Sequence, residues 1–262
     1  MSVYADLFRY RELFSNLFQR ELRVKYKGSF LGVVWSLANP LVLMGIYVLV
    51  FSTLWHVANG IDHYPLYLLS GLTVWVFFSA SLGTASRSML DSAELIRKVR
   101  FPRQLVAFSV VATQLVTFAV MFGVLFVVNL VLLSRTREVI WVTIPVAALI
   151  VMLVTGCALI VASLNVVFRD VEHLVSALLL PWFFLTPILY SFSQFHSHHT
   201  IQQILRYANF VTPAIYAFRD PLYAGHLPSA GDVVYLGVAA VVALALGAWV
   251  FGRVDDRIAV EL

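Results

Sequence analysis

The sequence predicts an all-α integral membrane protein, a six-transmembrane-helix bundle with an N-terminal amphipathic interface helix and short external re-entrant helices before the last span. Three observations lead there. Of 262 residues, 61% are hydrophobic and 12% charged, against about half and about a quarter in soluble domains. Lipid must then serve as solvent for much of the surface, and the backbone must pair internally. The apolar runs are long and unbroken, whereas barrel strands alternate over roughly ten residues, so the spans are helices. Finally, Lys and Arg fall unequally on the two sides of those runs, as the positive-inside rule requires of a multi-pass protein.

Residues 1–30 read as a cytoplasmic interface helix. Leu7, Tyr10, Phe14, Leu17 and Phe18 recur near a 3.6-residue period, with Arg9, Glu12, Asn16, Gln19, Arg20 and Arg23 between them. A charged body with one apolar face suits the interface plane. An ordinary positive flank is the alternative. Residues 31–262 form the membrane domain, with spans at 31–55, 66–85, 105–133, 141–168, 174–192 and 233–251, each near the length a bilayer demands. The N-terminal segment, the loop after span two, the turn after span four and the tail hold fourteen Lys and Arg; the opposite loops hold four. Both termini are therefore expected in the cytoplasm. Asn39 and Pro40 should kink span one, and Pro181 and Pro187 span five. Between 193 and 232, Pro213, Pro221 and Pro228 divide an apolar stretch that also carries Arg206, Arg219 and Asp220. Two short external helices, near 200–209 and 213–223, fit it, and a surface loop is the competing reading.

Much chemistry is absent. None of the six spans contains Asp, Glu, Lys or Arg, so no membrane carboxylate relays protons. Cys157 stands alone, which rules out an internal disulfide. The basic residues lie between spans and read as topology signals, not as a nucleic-acid surface. No phosphate-binding glycine loop occurs, and no catalytic residue is assigned. Metal binding by His196, His198 and His199 is disfavoured against a plain exposed loop. Gly28 and Gly32 make a small-xxx-small pair at a membrane edge, a weak association signal. If the protein moves a substrate uphill, energy enters from a partner, or from an ion held by unwound carbonyls.

Two features remain. After span two, Asp91 and Glu94 resemble a capping box. Leu95, Ile96 and Val99 then form an apolar stripe amid Arg97, Lys98, Arg100 and Arg103, before Pro102 stops the helix. Such a helix docks into another protein's groove or rests on headgroups. The aromatics Tyr47, Phe51, Trp55, Trp75, Phe78, Phe183 and Tyr190 could line a saccharide path, or belt and pack the bundle.

The run RVKYKGSFLGVVW at 23–35, leading to Asn39 and Pro40, resembles the approach to span one in ABC-2 type export permeases. LIRKVRFPR at 95–103, FRDV at 168–171, TPILY at 186–190, NFVTP at 209–213 and FRDP at 218–221 resemble later parts of the same family, in order along nearly the whole chain. The likeness is to permeases that export lipid-linked O-antigen, teichoic acid or galactan. It implies a pore of two copies in the bacterial cytoplasmic membrane, with two copies of a separate ABC ATPase beneath. ATP and Mg would be bound by that partner, and this chain would hold no cofactor. It further implies that Glu94, Leu95, Ile96, Arg97, Lys98, Val99 and Arg100 form the coupling helix, and that Arg169 and Asp170 form a second cytoplasmic turn. The aromatics would guide a lipid-linked glycan, and the segment with Arg206, Pro213, Arg219 and Asp220 would gate the far side. Competing readings are an ion-coupled carrier or channel, an ABC-2 exporter of a small hydrophobic substrate, and an intramembrane enzyme using Asp62, His63 and the external histidines.

Overall fold

Every described element is a helix or a turn. The computed structural model describes residues 10–29, 32–54, 61–99, 101–191 and 206–261, and no strand occurs among them. The first helix, α1 (Arg11–Tyr26), has Glu12 in its first turn and Arg23 and Lys25 in its last, each sign matched to the helix dipole. It stops before Gly28, whose φ of 74° lies in the left-handed region that glycine enters freely. Leu17 is buried, and Tyr10, Leu13 and Phe14 pack against the core. Arg11, Glu12, Asn16, Gln19 and Arg23 are exposed.

Among the described residues, four segments are long and apolar enough to cross a membrane: α3 (Tyr64–Asp91), α5 (Gln104–Leu132), Ile140–Val167, and Ala230–Asp255. The third comprises a 3-10 turn and α6 (Thr143–Val167); the fourth lies in α9 (Ala230–Glu261). Their 26–29 residues measure about 39–44 Å at 1.5 Å per residue, beyond the roughly 30 Å of hydrocarbon, so their ends project into the headgroups. Near the first predicted span, α2 (Trp35–Tyr47) continues through Pro40 and runs on as a π-helical stretch, Val48–Leu54.

Span five differs from expectation. α7 (Asp170–Leu185) has 16 residues, about 24 Å, and ends before Pro187. Thr186 is extended, φ −95° and ψ 132°, as the residue before a proline prefers. Pro187 therefore lies outside the helix and kinks nothing, whereas Pro181 is inside it. Beyond the expected start of the first external helix, 201–205 lie outside the described residues. The second is α8 (Val211–Arg219), which continues as the π-helical turn Asp220–Ala224.

α3 is the central element. It is buried along most of its length and packs against α2, α5, α6, α7 and α8. The most extensive pairing joins α6 and α9, and glycine permits it. A Cβ on Gly156 would lie 2.3 Å from the Ala243 carbonyl carbon, and one on Gly247 would lie 2.6 Å from the Gly156 carbonyl oxygen. This is the close small-residue contact that membrane helices use in place of a hydrophobic drive. Gly28 and Gly32 do not share that role. Both have positive φ, and a Cβ at either would meet nothing within 4 Å, so they turn the chain between α1 and α2.

Gly156→Leu must part α6 from α9, and the lost packing should destabilise by about 1–3 kcal/mol. A Cβ at Gly123 would meet nothing within 4 Å, so Gly123→Ala should be neutral or slightly stabilising. Thermal unfolding of the purified protein in mild detergent checks both. Equal midpoints for Gly156→Leu and wild type would remove the glycine contact from the account of the fold.

Candidate functional site

Two polar constellations lie at opposite ends of α3, with an aromatic cluster between them. The first gathers the ends of α1, α3, α6 and α7 and the start of α5. The helix α4 (Ala93–Lys98) follows α3 after one residue, Ser92. Ser92 occupies the N-cap without a side-chain capping bond, and its hydroxyl accepts from the Arg20 Nη2 of α1 at 2.8 Å. The expected capping box on Asp91 therefore does not form, since Asp91 is the last residue of α3. Ile96 turns into the bundle and is buried, and Leu95 is half-buried. Val99, Glu94, Arg97 and Lys98 are exposed, with Lys98 and Glu94 3.7 Å apart. Arg100 lies outside the described residues. Arg169 and Asp170 are exposed at the start of α7. Two interactions fasten this turn to α3: Arg87 pairs with Glu172 at 2.5 Å, and the Asn165 amide donates to the Ser86 carbonyl at 2.7 Å while accepting from the Glu172 N–H. Arg103, ahead of α5, pairs with Asp255 of α9 at 2.8 Å.

The second constellation is at the other end of α3. The segment after α7 is not helical, and four of its backbone carbonyls accept hydrogen bonds from distant side chains. The Arg219 guanidinium donates to the Pro187 carbonyl at 3.0 Å and to the Ile188 carbonyl at 3.4 Å. Tyr64 donates to the Leu189 carbonyl at 2.8 Å, and Tyr67 to the Tyr190 carbonyl at 2.7 Å. Arg219 is 2% exposed. Its Nε donates to Ser70 Oγ at 3.1 Å, and its guanidinium lies 3.7 Å from the centre of the Tyr67 ring. A planar, permanently charged, five-donor group suits that enclosure better than an ammonium does. Gly71 makes the room, because a Cβ there would lie 2.4 Å from Arg219 Nη2.

Neighbouring contacts brace this constellation. Pro213 is buried in the first turn of α8. Arg206 grips the wholly buried Asp232 of α9 with two hydrogen bonds, and Ser229 adds a third to the same carboxylate. Asn209 accepts from Trp182 Nε1 and donates to Thr186 Oγ1, both at 2.8 Å, binding α7 to the start of α8. Burial pushes the Asp220 carboxyl up to about 6, against the pull of His226.

Between the two ends, Trp75, Phe78 and Phe183 are buried. Trp75 lies 5.7 Å from Phe78 and 5.6 Å from Phe183, and Tyr47 stacks on Phe183 at 5.7 Å. Phe51 touches Tyr47 edge-on at 6.2 Å. Tyr47, Phe51 and Tyr190 are only partly buried; Trp55 and the histidines 196, 198 and 199 lie outside the described residues. Sequence reasoning missed Tyr64, Tyr67, Ser70, Gly71, Asn209 and Asp232. The one available signal was the pair of tyrosines three residues apart at the start of an apolar run.

Residues 12–223 match the ABC-2 type transporter family model. An O-antigen export system permease protein RfbA of Myxococcus xanthus is 34% identical over 242 residues, which cover 91% of each chain. Two Klebsiella pneumoniae proteins of the same description are 36% and 34% identical over 174 and 177 residues, 66% of each chain. With a family match across most of its length and a relative aligned nearly end to end, this chain belongs to the ABC-2 type transporter family, the transmembrane subunits of ABC transporters.

Proposed function

We propose that this protein is the permease subunit of an ATP-driven exporter that carries a lipid-linked polysaccharide of the O-antigen type out of the cytoplasm. The observation that carries this reading is the near end-to-end similarity to O-antigen export permeases. Two copies form the conduit, each crossing the bacterial inner membrane six times, with both termini in the cytoplasm. In that count the short α2 and α7 complete the set of four long helices, and the end of α3 that bears α4 faces the cytoplasm. Two copies of a separate ATPase bind ATP and Mg and dock there, cradled by α1. The exposed residues Glu94, Arg97, Lys98 and Val99, continued by Arg100, meet the ATPase. Leu95 and Ile96 tie the coupling helix to the bundle, and Arg169 and Asp170 provide the second contact. Tyr47, Phe51 and Tyr190 offer stacking faces to sugars, backed by Trp75, Phe78 and Phe183. The Arg219 constellation, with Arg206, Pro213 and Asp220, forms the outer gate.

Replacing Val99 with Glu, together with Arg97→Glu and Lys98→Glu, should reduce co-purification of the ATPase by at least about tenfold, because these side chains project from the bundle and face the partner. Thermal stability of the permease should stay near wild type. Undiminished co-purification would remove α4 as the docking element. Arg219→Leu leaves the carbonyls of residues 187 and 188 without their charged donor, at about 1.5–3 kcal/mol for each such bond. It should abolish surface glycan while the ATPase still co-purifies and the lipid-linked precursor accumulates inside. Normal surface glycan in that variant would count against the gate, and depletion of the permease without internal precursor would count against export itself.

A further inference from the structure

Arg20 makes a contact that the packing of α1 does not account for. The extensive packing of α1 is on α5, and Lys25 fastens that side by donating to Gln114 Oε1 and Thr117 Oγ1, both at 2.7 Å. Arg20 reaches elsewhere, 72 positions along the chain, to Ser92. Ser92 is the one residue between α3 and α4, and it is 2% exposed. Its φ of −105° and ψ of 12° lie outside the helical region, so this residue sets the direction in which α4 leaves α3. Among the described residues its hydroxyl has a single hydrogen-bond partner, the Arg20 Nη2. Glu21 orients that group, because Arg20 Nε and Nη2 both donate to Glu21 Oε1, at 3.2 and 2.7 Å. The planar fork thus serves two acceptors in one fixed orientation.

The bond contributes little to stability. The Arg20 side chain is 40% exposed, so water takes the place of a lost acceptor, and its pairing with Glu21 is weak at that exposure. Ordering an arginine costs rotamer freedom as well. What the bond fixes is geometry, since it joins α1 to the residue about which α4 turns. The start of α7 is already pinned to the same stretch of α3, through Asn165 on the Ser86 carbonyl and Arg87 on Glu172. Arg20 adds α1 to that assembly, so the elements around α4 share one frame with the end of α3.

We propose that Arg20 is a positioning residue for export: by tying α1 to the α3–α4 joint at Ser92, it makes a displacement of the ATPase move α1, α4 and α3 together. The inference rests on the export reading and specifies how force is collected at the α4 end. Arg20 acts through Ser92 and touches no substrate. Loss of the tie lets α1 and α4 respond separately to the ATPase, and hydrolysis is then spent without a matching shift of α3.

Inside-out membrane vesicles that hold the permease–ATPase complex and the cell's own lipid-linked glycan test it, through the glycan moved per ATP hydrolysed. Ser92→Ala removes the acceptor and, because Ser92 is buried, alters no surface that a partner touches. It should lower the ratio at least about threefold, and Arg20→Met should lower it equally. The double variant should fall no further, since one bond is lost only once. Ser92→Thr, which keeps the hydroxyl, should retain coupling. The thermal midpoint and the amount of co-purified ATPase should stay near wild type in the Ser92 variants. Wild-type coupling in Ser92→Ala, or losses that multiply in the double variant, would overturn the proposal. The tie itself is read without export, in the full-length permease in nanodiscs, from the distance between spin labels at Glu12→Cys and Arg97→Cys in a Cys157→Ala background. Ser92→Ala should broaden that distance distribution. An unchanged distribution overturns the tie and leaves the export reading standing. A broadened distribution in a complex whose wild type moves no glycan defeats the export reading, and with it the role assigned to Arg20.

Discussion

The fold depends on the pairing of backbone carbonyls where α7 gives out. A helix that stops after 16 residues leaves backbone carbonyls in need of donors, and each one buried without a partner costs several kcal/mol. The protein answers with side-chain donors from two distant segments: Arg219 from α8, and Tyr64 and Tyr67 from α3. Each donor then imposes its own requirement. A buried guanidinium needs acceptors and a polarisable face, which Ser70 and the Tyr67 ring supply. It also needs space against α3, which only a residue without Cβ leaves at position 71. α8 must approach closely enough to deliver Arg219, and Asn209 fixes that approach to α7. The short α7, the close approach of α8 and the glycine in α3 thus follow from one constraint.

Ion pairs accumulate at both ends of the bundle. Arg87 with Glu172 and Arg103 with Asp255 gather at one end, and Arg206 with Asp232 and Arg135 with Asp62 at the other. They differ in burial, and so in worth. Arg87 is largely exposed, and such a pair contributes little. Asp232 is wholly buried, so removing Arg206 would strand a desolvated carboxylate, a far larger loss. Of these pairs, Arg206 with Asp232, beside the Arg219 constellation, is the one whose loss would cost most.

The long helices were legible in the sequence because hydropathy over 20 or more residues reports a solvent, and lipid admits few backbone solutions. The short helix α4 and its apolar stripe were legible in outline. Its division was not, because sequence spacing places Leu95, Ile96 and Val99 on one stripe without saying that Ile96 faces the bundle while Val99 faces out. The truncation of span five was hidden for a similar reason. TPILY is apolar enough to extend a helix, and only the long-range donors from residues 64, 67 and 219 make an extended chain tolerable there. Gly156 and Gly247 passed unremarked because each is one glycine in an apolar run; their meaning appears only when α6 meets α9. Lys25 looked like one positive flank residue among six, and its distinction lies in two acceptors some ninety positions away.

One helix joins the parts that the export reading requires to communicate. α3 carries α4 at one end, through Ser92, and presents Tyr64, Tyr67, Ser70 and Gly71 to Arg219 and the carbonyls of 187–190 at the other. Its 28 residues make a rod of about 42 Å without an internal proline. Packed interiors transmit displacement without absorbing it, so a shift imposed on α4 reaches the hydrogen bonds of the gate through a single covalent element. Under this reading the work enters at α4 and is delivered at Arg219.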